Sequence, residues 1–123
     1  MEAKYNYKNL DAYKKAKILV KEVYSLLRKF PKEEQYVLCD QLRRAVISVP
    51  SNIAEGSGRT SAKDQAHFIE MAFGSLMEVD CQIDLAQDLN YITKDEMESI
   101  EQQIRTIVAL LSGLRNKCLS LTH

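Results

Sequence analysis

Two histidines, three cysteines and a comb of carboxylates are the side chains that could do chemistry in this 123-residue sequence. His67 precedes Glu70 by three residues, and His123 is the final residue. Metal centres in helical bundles need a Glu-x-x-His on each of two helices plus further glutamates. Here the spacing occurs once, in reversed order, so no di-metal set is read. Cys39, Cys81 and Cys118 lie far apart and form no C-x-x-C pair, which argues against both a zinc site and a disulfide framework. Asp80, Asp84 and Asp88 stand one helical turn apart, but like charges at that spacing repel and mark a solvated face. Ser51, Ser57 and the thiols are candidate nucleophiles, with His67 as the one internal base. The run Gly56-Ser57-Gly58-Arg59 lacks the Lys-Ser/Thr ending and the preceding strand of a phosphate loop. The sequence therefore predicts no enzyme, no metal, no cofactor and no small-molecule substrate.

Composition narrows the rest. Hydrophobic residues make up 46% and charged residues 28%, an ordinary globular balance in one domain spanning residues 1–123. Four glycines and two prolines leave too few turns for a many-stranded β-fold. The start MEAKYNYKNL has no apolar core of a signal peptide, and no stretch reaches the ~18 apolar residues of a membrane span. The expectation is a cytoplasmic protein with reduced thiols and no membrane partner.

The formal net charge is zero, yet it is unevenly laid out. Residues 1–29 carry eight basic and three acidic side chains, whereas residues 60–123 carry five and ten. Lys14, Lys17 and Lys21 step by three and four, with Arg28 further along, so one face of the first helix is basic. Arg43, Arg44 and Arg59 complete the set that could meet RNA or an acidic neighbour. Their closeness to the apolar stripe favours internal ion pairs for those three.

Hydrophobic periodicity supplies the elements that hold these residues. Four helical segments are predicted, at about 10–29, 32–57, 62–89 and 94–120. Asn9 is a candidate cap for the first, whose apolar line is Tyr13, Val20, Val23, Leu27 and Phe30. Pro31, Glu33 and Glu34 suit the first turn of the second. That helix carries Leu38, Leu42, Ala45, Val49 and Ile53, and is predicted to bend at Pro50 with Ser48 and Ser51 serving nearby backbone groups. Ser61 with Asp64 and Thr93 with Glu96 read as capping boxes, and Asn90 as a left-handed stop. The third seam is Ile69, Ala72, Leu76, Val79, Ile83 and Ala86. The fourth runs Met97, Ile100, Ile104, Ile107, Leu111, Leu114, Cys118 and Leu121. Short connections between such segments predict an all-α, up-down-up-down antiparallel four-helix bundle. Ile18, Leu19, Phe68, Phe73, Val108 and Leu110 fall outside the main seams and suggest a second buried face, hence an oligomer.

Two further groupings stand out. Glycine within a helix costs about 1 kcal/mol, so Gly74-Ser75 beside Ala72 predicts a notch filled by the segment around Pro50. Asn52 and Glu55 share a face with Arg59 and predict a polar cluster bracing the helix end; a patch for RNA or a partner is the alternative.

The run from Gln41 to Ile92 resembles the four-helix-bundle family of proteins encoded in intervening sequences of bacterial 23S ribosomal RNA genes. The marks are Arg43-Arg44-Ala45, Asn52-Ile53-Ala54-Glu55-Gly56, Gly58-Arg59, and Ala72-x-Gly74-Ser75-x-x-Glu78. Tyr24 and the Phe30-Pro31-x-Glu33 turn also fit. The resemblance implies a ring-like homopentamer without catalytic residues, associated with ribosomal RNA. A related branch resembles the accessory protein of diversity-generating retroelements, a basic pentamer engaging a reverse transcriptase and nucleic acid. This chain departs from that branch in being net neutral. Its expected partners are further copies of itself, with ribosomal RNA or a nucleic-acid-handling protein as additional candidates.

Overall fold

A computed structural model describes residues 2–120. Four α-helices dominate it: α1 (Asp11–Leu27), α2 (Leu38–Ser57), α3 (Ala62–Asp88) and α4 (Lys94–Ser120). A 3-10 segment, Glu2–Asn9, precedes α1, and one 3-10 turn, Lys32–Glu34, lies between α1 and α2. Each helix packs on two neighbours: α1 on α2 and α4, and α3 on α2 and α4. This places the α1–α2 groove and the α3–α4 groove on opposite sides of a four-helix bundle. Polar contacts give the direction of two pairs. Lys29 meets Glu96 and Gln103 meets Glu22, while Gln82 meets Gln41 and Ser48 meets Ser75. Numbers rise on one helix as they fall on the other, so α1 with α4 and α2 with α3 run antiparallel.

The predicted seams of α2, α3 and α4 form the core except at Leu38, Met97, Leu114 and Cys118, which are half-buried at the seam ends. Cys39 and Val46 join it from outside the predicted α2 line. Leu42, Val46, Leu76, Val79, Ile83, Ile107 and Leu111 are wholly buried. The α1 line differs from its expectation. Its buried residues are Ala12, Ala16, Leu19, Val23 and Leu27, and Tyr13 and Val20 stand at the edge. Two alanines let α1 lie close to its neighbours, whereas the Tyr13 ring fits only where its hydroxyl end can reach water. Of the six residues expected to build a second apolar face, Leu19 is in the core. Phe68, Phe73, Val108 and Leu110 are half-buried within the chain, leaving Ile18 exposed. Leu121 and His123 lie outside the described residues.

Helix ends depart from expectation in two places. Leu10, not Asn9, occupies the N-cap of α1, and Asn9 closes the 3-10 segment with its side chain on Asn6. Helix α2 starts at Leu38 because Val37 (φ −118°, ψ −90°) breaks the helical path. Glu34 thereby serves another purpose, accepting the Tyr91 hydroxyl at 2.8 Å. Gln35 ties down the preceding chain by donating to the Leu27 carbonyl at 3.1 Å, one of the orphan acceptors at the end of α1. Through Pro50, α2 continues as one helix. Ser48 donates to the Ala45 carbonyl and Asn52, in place of Ser51, donates to the Ser48 carbonyl, both at 2.8 Å.

The turns form as predicted. The Ser61 hydroxyl accepts the Asp64 N–H at 3.0 Å, and Asn90 adopts φ 65°. Thr93 and Glu96 make both halves of a capping box, at 2.9 and 3.1 Å. The Lys29 ammonium, and then the Thr93 backbone N–H, hold the Glu96 carboxyl below the ordinary carboxylate range. A carboxyl lowered on folding contributes stability above its unfolded pKa, and that stability is lost as pH falls through its folded value.

The glycine notch is not where the spacing placed it. A Cβ on Gly74 would meet nothing within 4 Å, so the Pro50 segment does not fill that position. The close approach is at Gly56, where a Cβ would sit 3.0 Å from the Phe68 Cβ and 3.3 Å from the Gln65 carbonyl oxygen. Gly56→Ala should therefore destabilise the fold by about 1–3 kcal/mol through overpacking. Gly74→Ala should stabilise it by up to about 1 kcal/mol through helix propensity. Urea unfolding reads both, and the reverse order would contradict this packing. In the same assay, Glu96→Ala should cost on the order of 1 kcal/mol at neutral pH. That gap should close as the pH falls below the carboxylate range; a pH-independent gap would remove the ionised carboxylate from the account.

Candidate functional site

The residues with chemical potential are dispersed. His67 is exposed and its ring packs edge-on to Phe68, 5.7 Å between centroids. Glu70 turns instead to Arg115 on α4, 3.2 Å away. Burial pushes the Cys39 and Cys118 thiols above their ordinary range, which disfavours the nucleophilic thiolate. Cys118 lines an apolar pocket of about 170 Å³ with Leu10, Ile53, Gly56, Ile69 and Leu114, and no base lies among its lining residues. Among the described residues no group of three or more His, Cys, Asp or Glu is placed to hold a metal ion. None of the helices described is long and apolar enough to cross a membrane.

The seven basic candidates separate into two kinds. Lys14, Lys17 and Lys21 share the outer face of α1 and are exposed, with the Lys17 ammonium 5.6 Å from the Tyr13 ring centre. Among the described residues no ion pair joins them to Asp80, Asp84 or Asp88 of the same chain. Arg28 is exposed at the C-terminal end of α1. By contrast, Arg43 bonds Asp40 and the Gln35 side-chain oxygen, both at 2.9 Å, and the Gln35 carbonyl at 3.3 Å. Arg59 stacks 4.5 Å from the Phe68 ring centre and pairs with Glu55 at 3.5 Å. The internal pairing expected of Arg43 and Arg59 is present, but Arg44 is exposed and joins no ion pair among the described residues.

Of the motif cluster, Gly56 and Ser75 lie at the contact between α2 and α3, and Asn52 and Glu78 bond within their own helices. Asn52 closes on the Ser48 carbonyl; Ser75 donates to the Met71 carbonyl at 3.1 Å, and its hydroxyl lies against that of Ser48. Glu78 accepts from the buried Gln82 at 3.4 Å. Gly56 permits the contact with Phe68, while Gly74 faces open space.

Folding builds a feature that residue spacing did not reveal. Tyr13, Lys17, Val20 and Lys21 of α1 meet Ile47, Pro50, Ser51 and Ala54 of α2, with Tyr7 at one end, in an open groove of about 400 Å³. Tyr7 and Tyr13 stack edge to face at 4.9 Å between centroids. The groove is apolar at its base and flanked by ammonium groups. On the opposite side, Met77, Asp80, Glu101, Ile104, Arg105 and Val108 line a smaller groove of about 270 Å³ between α3 and α4. Tyr13 and Val20 were legible as apolar positions, but only the angle of α1 against α2 turns them outward beside the lysines. Ile47 (44% exposed) and Met77 (51% exposed) lie off the predicted seams, and that position was their only signal.

Comparison with known proteins fits this architecture. No match is found among curated proteins. A crystal structure of a protein of unknown function from the S23 ribosomal protein family of Bacteroides thetaiotaomicron superposes with a TM-score of 0.78 at 22% identity, covering 85% of this chain and 97% of that one. At that identity the likeness concerns the fold. Residues 8–113 match the family described as 23S rRNA-intervening sequence protein, and the chain belongs to that family.

Proposed function

We propose that the protein is a non-catalytic, cytoplasmic bundle that assembles with copies of itself and acts as an adaptor associated with ribosomal RNA. The observation carrying this reading is the set of large apolar side chains left on the surface beside unpaired charge. Ile18, Ile47, Met71, Met77, Leu85 and Leu89 are each 44–51% exposed. Large apolar side chains left this exposed along three helices are the material from which interaction surfaces are built. Basic and acidic surfaces on one chain suit a head-to-tail contact, which closes as a ring when the rotation between copies is right. With the family resemblance, the number we propose is five. Light scattering at micromolar concentration should give a multiple of the 14.1 kDa chain mass. A monomer under those conditions rejects the reading.

A second reading has its own support. Lys14, Lys17 and Lys21 are exposed and unneutralised by the acids of α3, as phosphate binding requires. On this reading the protein binds 23S ribosomal RNA, or its intervening sequence, through the face of α1. Replacing all three lysines by alanine should then flatten the slope of log affinity against log salt by about two to three units. Each single replacement should weaken all RNA sequences alike. An unchanged slope in a filter-binding titration would exclude the α1 face.

A further inference from the structure

We propose that the α1–α2 groove is the seat for the acidic edge of α3 from a second copy of this chain, so that assembly covers the lysines that RNA would use. This rests on the self-assembly reading and specifies which surfaces meet. The groove offers Lys17 and Lys21 above Val20, Ile47 and Pro50, with Lys14 one turn away. Its neighbouring acids are engaged elsewhere: Glu22 with Gln103 on α4, and Glu55 with Arg59. The complementary surface is on the far side of the bundle. Met77 and Asp80 begin a line that continues through Asp84 and Asp88 at helical spacing, with Glu101 of α4 beside it and Arg105 as the base in that groove.

Charge and length agree. Lys14 to Lys21 spans about 10 Å of helix and Asp80 to Asp88 about 12 Å, at 1.5 Å per residue. The apolar parts agree as well. Met77, half-exposed at the head of the acidic line beside Ile104 and Val108, offers an apolar side chain to the Tyr13, Val20 and Ile47 trough. Self-contact of the α1–α2 groove would set lysine on lysine, and self-contact of the α3 edge would set aspartate on aspartate, so each surface favours the other over its own copy. The contact is therefore heterologous, and an open row of copies keeps one free groove at one end and one free edge at the other until a ring closes. Because the same ammonium groups cannot face a neighbour's carboxylates and a phosphate backbone together, RNA and the next copy compete for the groove.

The test uses two full-length variants whose changes lie on exposed positions. One carries Lys17→Glu and Lys21→Glu, the other Asp84→Lys and Asp88→Lys, and circular dichroism checks that both fold. Like charges set face to face should weaken assembly of each variant alone at least a hundredfold in sedimentation, leaving the 14.1 kDa chain. Mixing them should restore assembly, since each native surface finds its native mate and the reversed pair also match. Every contact in the mixture joins unlike chains, so a ring of five cannot close there, and the expected products are open or even-numbered assemblies heavier than one chain. If both variants keep the wild-type mass, copies meet elsewhere and this inference falls while self-assembly stands. Failure of the nuclease-treated mixture to reassemble would also overturn it, showing that the lysines meet something other than α3. A wild-type chain that never assembles removes the underlying reading first.

Discussion

Everything on the surface of this protein follows from the need of four helices to bury one apolar seam each. Helices of 17, 20, 27 and 27 residues gain their stability chiefly from packing an amphipathic face, not from helix propensity alone. Leu19, Val46, Leu76 and Ile107, one from each helix, are wholly buried together. Once these seams face inward, the rotation of every helix is fixed, and so is what each turns outward. Lysines of α1 and aspartates of α3 reach solvent on opposite sides because their seams demand it.

The ends of the bundle are held by polar devices instead. Tyr91 packs its ring against Phe30, 5.3 Å between centroids, and gives its hydroxyl to Glu34, joining the two connections at that end. The Glu34 carboxylate in turn holds the phenol proton and raises the Tyr91 pKa. At the other end, Arg59 lies over Phe68 and Gln65 donates to the Arg59 carbonyl at 2.9 Å, fixing the turn from α2 to α3. Of the motif residues, Ser75 meets Ser48 across α2 and α3, whereas Asn52 and Glu55 bond within α2 and the turn that follows it.

Much of the fold was legible in the sequence where large aliphatic residues repeat at steps of three and four, as from Ile69 to Ala86. Capping pairs such as Thr93 with Glu96 were legible for the same local reason. The α1 seam was misread because alanine carries little hydrophobic weight, although Ala12 and Ala16 are what bring that helix close. The glycine notch failed for a related reason: a helical glycine marks a close approach only if a neighbour comes there, and the neighbour comes to Gly56. Lys14, Lys17 and Lys21 could be placed on one face from spacing alone. The groove beside them could not, because it depends on the packing of α1 against Ile47 and Pro50.

If opposite charges on opposite faces drive assembly, the association must weaken as salt screens them, since exposed charges beyond a Debye length of about 8 Å at physiological ionic strength interact little. Sedimentation velocity of the wild-type chain across a salt series measures this directly. The account predicts a multiple of 14.1 kDa at low salt that falls towards the single-chain mass as ionic strength rises. A mass of 14.1 kDa at every salt concentration would contradict it.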